Sequence, residues 1–180
     1  MAIVAKAKAG SRLVHPEGAY PAICIDVIDL GDVETHFKGK KKIQHKIVIR
    51  WFCGQFGELE NEEGIKEVVP LWAGERFTLS LSDRSALRPF LEAWRGRPFT
   101  ELELKGFDLE SLVGAAAYLQ ITHNKKDETT YANVTACMKL PKEMKKPAAP
   151  DGYVRVCNRP KDGEPTREPG EDDDSDPLPF

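Results

Sequence analysis

At 180 residues and 41% hydrophobic content, the chain has room for one domain plus appendages and enough apolar material for a core. No run approaches the roughly 18 apolar residues of a membrane helix, and the first residues lack a signal peptide's apolar stretch, so the reading is a cytosolic chain with no membrane span. The net charge of −3 hides an asymmetry: residues 161–180 hold two basic residues against eight acidic ones, while residues 1–160 hold 24 basic against 21 acidic.

Residues 1–17 carry few structure signals and read as a flexible arm, made basic by Lys6, Lys8 and Arg12. A first strand is expected over 20–30. Ile23, Ile25, Val27 and Asp29 share one parity; Ala22, Cys24, Asp26 and Ile28 share the other. Gly31-Asp32 reads as its end, and a loop over 31–42 carries Phe37 and a run of lysines. A second strand over 43–53 sets Ile43, His45, Ile47, Ile49 and Trp51 on one face and Lys46, Val48, Arg50 and Phe52 on the other. A turn at 54–57 holds Phe56, and 58–63 reads as an acidic loop. The third strand, over 66–81 and containing Trp72, is interrupted at Gly74, which signals a bulge or bend.

Helical periodicity follows. Leu87, Phe90, Leu91 and Trp94 are spaced i, i+3, i+4, i+7, with Pro89 suited to a first turn and Gly96 to a C-cap. Thr100 and Glu103 have capping-box spacing, and Asp108 suits the start of a further turn. Strands return over 115–123 and 131–140, joined by a polar loop over 124–129 with Lys125 and Lys126. Beyond Pro141, prolines and charges predict a linker and a disordered remainder, with 153–156 either a short strand or a segment folding back over the body. The resulting division is an arm over 1–17, a domain over 18–140, and a linker with an acidic docking tail over 141–180.

Five strands with helices between the third and fourth suggest a mainly β, five-stranded OB-fold barrel with a helical insertion; an SH3-like barrel is the competing topology. OB-folds bind oligonucleotides on the face of strands two and three and on the loops after strands one and four, and here both loops are basic. From Thr35 to Gly57 the chain carries Lys38, Lys40, Lys41, Lys42, Lys46 and Arg50 with no acidic residue, the footprint of a polyanion site. Binding a single strand also needs aromatic platforms; the candidates are Phe37, Trp51, Phe52, Phe56, Trp72 and Tyr131. Trp51 and Phe52 lie on opposite faces, and Phe52, sharing its face with Lys46 and Arg50, is the one favoured as exposed; Trp51 and Trp94 read as core. Arg95 and Arg97 serve the helix end or add cations.

No cofactor, metal or enzymatic chemistry is called for. Cys24, Cys53, Cys137 and Cys157 form no C-x-x-C pair and read as buried, reduced thiols. His36, His45 and His123 lack metal spacing, and Asp26, Asp29 and Asp32 read as solvated rather than as a metal cluster. No nucleophile elbow, P-loop or paired-carboxylate signature is present, so a nuclease or other hydrolase reading has no support.

The blocks LEAWRGRPFT at 91–100, GFDLESLVG at 106–114 and YANV at 131–134, with GAYPA at 18–22 and DLG at 29–31, resemble phage and prophage proteins of the OB-fold single-stranded DNA-binding kind. The last residues are a second signal. An acidic run including Asp172, Asp173, Asp174 and Asp176 is followed by Pro177, Leu178, Pro179 and Phe180, similar to the partner-recruiting tip of bacterial and phage single-stranded DNA-binding proteins, with Leu178 where the usual bacterial tip has Ile. The resemblance implies single-stranded DNA as ligand, a role in phage DNA replication, recombination and repair, recruitment of replication and recombination proteins through the tip, and the cytoplasm of a bacterial host. A homo-oligomer is compatible with it. The alternative is a phage protein-interaction or inhibitor module whose tail mimics nucleic acid.

Overall fold

The computed structural model of the chain describes residues 13–61 and 63–159. Five antiparallel strands make one sheet: β1 (Gly18–Phe37), β2 (Lys40–Glu60), β3 (Lys66–Thr78), β4 (Ala116–Lys126) and β5 (Thr129–Met138). Their order is β3-β2-β1-β4-β5, and the sheet curls into a half-barrel that brings its edge strands β3 and β5 into contact. Helices α1 (Leu87–Arg95) and α2 (Glu101–Lys105) and a 3₁₀ turn (Leu109–Leu112) lie between β3 and β4.

Three loops expected from the sequence are largely strand instead. The 31–42 region continues the β1–β2 ladder as a two-stranded ribbon to the pair Phe37↔Lys40. A two-residue turn, Lys38-Gly39, closes it with both φ angles positive, at 49° and 74°, the backbone that matches the twist of a hairpin. Gly31 does not end β1; it sits at a register shift, its N–H donated to Asp29 Oδ1 at 2.8 Å. Likewise Asp127 and Glu128 alone turn β4 into β5, and 58–60 pairs with β3 down to Glu60↔Lys66.

The inner face holds the main core. Ala22 and Cys24 of β1, Ile47, Ile49, Trp51 and Cys53 of β2, and Leu119 and Ile121 of β4 converge there. α1 closes it with Leu87, Leu91 and Trp94, the apolar stripe of the sequence. Trp51 is fully buried between Phe90 and Trp94, at ring separations of 5.7 and 5.6 Å, and Trp94 Nε1–H donates to the Ala116 carbonyl at 2.8 Å. Gly96 caps α1 in the left-handed conformation, and Thr100 with Glu103 forms the capping box its spacing predicts. Arg97, the Thr100 N–H and Arg95 together hold the Glu103 carboxyl well below the usual carboxylate range. Arg95 also stacks on Phe99 and Phe107, so both arginines near α1 are engaged locally.

A second cluster lies on the outer face: Ile23, Ile25 and Phe52, with Trp72 and Tyr153 against them. Its roof is the chain after β5. Residues 150–159 fold back as a strap across β1 and β2, fastened to Asp26. That carboxylate is fully buried. It accepts from Tyr153 Oη–H at 2.9 Å, Arg155 Nε–H at 3.0 Å and the Val156 N–H at 2.8 Å. Arg155 then grips Glu110 with both terminal nitrogens, at 2.7 and 2.9 Å. Asp26 is thus not the solvated residue expected from its place in the strand. A register shift between Cys24 and Asp26 puts an extra residue in β1, so Asp26 leaves the inward parity of Cys24 and stands opposite Arg50.

The body therefore extends past Leu140, the boundary expected for it. It also begins before Gly18. His15 is buried, its carbonyl accepts from His123 Nε2–H at 2.7 Å, and Glu17 Oε1 accepts from the His123 N–H at 2.6 Å. Residues 1–12 of the expected arm lie outside the described residues, as does the acidic tip.

Two outcomes test this packing. Asp26→Ala leaves Arg155 without its buried partner, and a urea titration is expected to show a loss of about 3 kcal/mol; a loss under about 1 kcal/mol would mean that the carboxylate does not hold the strap. Burial pushes the Cys24 and Cys53 thiols up to about 12 and raises Cys137, whereas Cys157 is exposed. A thiol reagent at pH 8 should therefore titrate one cysteine in the native chain and four after denaturation.

Candidate functional site

Side chains alternate along a strand, and β2 runs unbroken from Lys40 to Phe52 because the extra residues at both shifts in the β1–β2 ladder belong to β1. Ile47, Ile49 and Trp51 point into the core, so Lys40, Lys42, Lys46, Arg50 and Phe52 share the outer face. They follow one another over about 40 Å. Directly opposed residues of an antiparallel pair point to the same side, so Phe37, opposite Lys40, joins this face. The Lys38 ammonium lies 5.5 Å from the centre of the Phe37 ring, within cation–π range. The tip of the ribbon thus presents an exposed ring among three lysines.

The lysine run does not act as one patch. Lys41 falls on the other side of the ribbon, where its ammonium is 2.9 Å from Glu34. Ile43, 70% exposed, shares that side. Further along the outer face, Lys46 Nζ donates to Thr78 Oγ1 at 3.0 Å.

The structure corrects two sequence expectations at the far end. Phe52, favoured as the exposed member of its pair, is only 3% exposed, and Arg50 only 9%. Both lie beneath the strap, and Arg50 Nη1–H donates to Tyr153 Oη at 3.4 Å. Burial raises the Tyr153 phenol, which keeps it a donor to Asp26. The reachable aromatics here are Phe56, 55% exposed, and Trp72, half-buried opposite Phe52. With Phe52 and Tyr153 they form a continuous run, ring centres 5.4 Å from Phe56 to Phe52, 5.8 Å from Phe52 to Trp72 and 5.0 Å from Trp72 to Tyr153.

Lys125, Lys126 and Tyr131 belong to a different place. β4 pairs with the first six residues of β1, and its tip projects past Gly18, whereas the lysine ribbon projects past the opposite end of β1. Tyr131, half-buried, is opposite Asn124 near that second tip. His45 sits between two carboxylates, Nε2 2.6 Å from Asp29 and Nδ1 3.4 Å from Asp32. The Gly31 N–H and then His45 hold the Asp29 carboxyl below its usual range. Among the described residues no group of three or more His, Cys, Asp or Glu could hold a metal ion, and no helix is long and apolar enough to cross a membrane.

Chemically, the outer face offers cations at one end and flat apolar rings at the other, joined by one strand. The strap residues Tyr153, Arg155 and Arg159 were missed as site residues from the sequence; the only local signal was an aromatic and two arginines recurring within a proline-rich stretch. No protein-family model matches the chain, and no curated protein sequence matches it.

The two sides of the ribbon can be told apart. Lys42→Glu should weaken retention by a polyanion such as heparin roughly tenfold near 0.1 M salt, as expected for one lost phosphate-like contact. Lys41→Glu makes the same change in net charge next door but on the side already neutralised by Glu34, and should have a small effect. Equal losses would show that net charge alone is sensed.

Proposed function

We propose that the chain is a sequence-independent single-stranded DNA-binding protein built on an OB-type barrel. The observation that carries this reading is the single outer face on which Phe37, Lys40, Lys42 and Lys46 lead along β2 to Trp72 and Phe56. Phosphates need exposed cations, unpaired bases need rings to stack on, and neither contact depends on base identity. The strand neighbours support the fold assignment: with β3 and β5 in contact, the order closes as 1-2-3-5-4, and helical segments fall between β3 and β4. The binding face then corresponds to strands two and three, where OB-folds take oligonucleotides. Lys125, Lys126 and Tyr131, at the other end of β1, form a separate contact at the β4–β5 tip.

DNA rather than RNA rests on the resemblance to phage single-stranded DNA-binding proteins, as does the role of shielding single strands in phage replication and recombination. The acidic tip with Phe180 recruits partner proteins, its ring and terminal carboxylate suiting an apolar pocket rimmed by basic residues. It also occupies the basic face when DNA is absent, and so competes with an incoming strand, since the charges are opposite.

Titration of labelled oligo-dT, duplex DNA and oligo-U across a salt series tests the reading. Single strands should bind best, and with three to five phosphate contacts the log–log salt slope should be about −2 to −3.5. A flat response would remove the lysine ribbon from the interface. No binding to oligo-dT would leave the protein-interaction reading.

A further inference from the structure

We infer that the cleft between the strap and β3 is a base-binding subsite, in which Trp72 and Tyr153 receive one unpaired base of the bound strand and Arg159 its backbone. This rests on the proposed binding of single strands and adds a place where one nucleotide is held. The cleft has a volume of about 330 Å³ and is lined by Pro70, Trp72, Pro150, Tyr153 and Arg159 among others. That volume is at the small end for ligand pockets, suited to one nucleotide unit rather than an extended ligand.

The walls are of the right chemistry. Trp72 and Tyr153 are in ring contact at 5.0 Å with their planes 59° apart. They form a wedge, so a base that stacks on one ring meets the other near its edge, a favourable arrangement for aromatic groups. Two prolines supply flat apolar surface with no donor that would select one base. Arg159 lies with its guanidinium carbon 5.9 Å from the centre of the Tyr153 ring, and its Nε–H donates to the Val154 carbonyl at 3.1 Å. The guanidinium is thereby positioned at the cleft, where its planar, permanently charged fork suits a phosphate. Asp151 also lines the cleft and is exposed, an acidic group that a bound phosphate must avoid.

The position also fits. Trp72 pairs with Phe52, the last residue of the outer-face run that begins at Lys40, so a strand whose phosphates follow the lysines arrives at this wedge. Tyr153 is held in place at this wedge. Its hydroxyl is fixed between Asp26 and Arg50, which leaves the ring pre-oriented.

The test uses the full chain, oligo-dT and an abasic oligomer of equal length and charge. The ratio of their affinities reads stacking with phosphate contacts held constant. One stacked base corresponds to roughly tenfold, so Trp72→Leu should reduce the ratio by about that factor. Tyr153→Leu should do the same, while Tyr153→Phe, which keeps the ring and loses the bond to Asp26, should preserve the ratio. Arg159→Ala should weaken both oligomers equally. Independently of any variant, photocrosslinking of the native chain to an oligo-dT carrying 5-iododeoxyuridine should place adducts on Trp72 or Tyr153. An unchanged ratio in Trp72→Leu, or adducts confined to other residues while the native chain binds oligo-dT, would overturn the subsite and leave the single-strand reading standing. Failure of the native chain to bind oligo-dT would overturn both.

Discussion

A carboxylate with no exposure to water must find its hydrogen bonds inside the protein, and Asp26 finds three of them in a segment 127 to 130 residues away. An isolated buried charge is costly enough to be intolerable without partners. That requirement pins the returning chain to the sheet. Tyr153 comes to rest over Arg50 and against Trp72, Arg155 reaches on to Glu110 in the 3₁₀ turn, and the outer apolar cluster around Phe52 gains a roof. Without Asp26 the strap would keep its grip on Glu110 and its packing on the Phe52 cluster but lose the three bonds that fasten it to β1.

A second constraint is the continuity of β2. One strand supplies the middle of the core on one side and a cationic row on the other, and this works only if its parity never slips between Lys40 and Phe52. Both register shifts are absorbed by β1, which bends around β2. The same shifts decide that Asp26 faces outward, so the bulge that preserves the lysine row also creates the strap's anchor. On the ribbon's reverse side Glu34 compensates Lys41, while on the outer face Lys40 and Lys42 stay exposed and the half-buried Lys46 bonds Thr78.

Local signals were legible in the sequence. The α1 stripe, the Gly96 cap and the Thr100–Glu103 box each depend on residues within a turn or two, and each is present. The alternation of β2 was legible for the same reason. The lengths of β1 and β2 were not, because Gly31 and a run of lysines look like a turn, and nothing local distinguishes a bulge glycine from a turn glycine. The burial of Phe52 and Arg50 was not legible either, since both parities of the strand are covered and the second cover comes from the far end of the chain. Asp26 is the sharpest case. Its strand neighbours suggested a surface aspartate, and only a slip in register together with a distant tyrosine and arginine makes it a buried one.

On the proposed reading, the two ends of the outer face contribute through different physics. The ribbon's lysines are exposed and long, so their attraction for phosphate is screened by salt and carries a side-chain ordering cost at each contact. The aromatic end is already ordered. Tyr153 is bonded through its hydroxyl, and Trp72 is held between Phe52 and Tyr153. Stacking there loses little conformational entropy and responds weakly to ionic strength, because it is not a charge–charge contact. A strand is thus drawn in by one end and held by the other, with a single strand, β2, fixing the distance between them. The buried carboxylate that organises the strap touches no ligand on this reading, yet it sets where the rings stand.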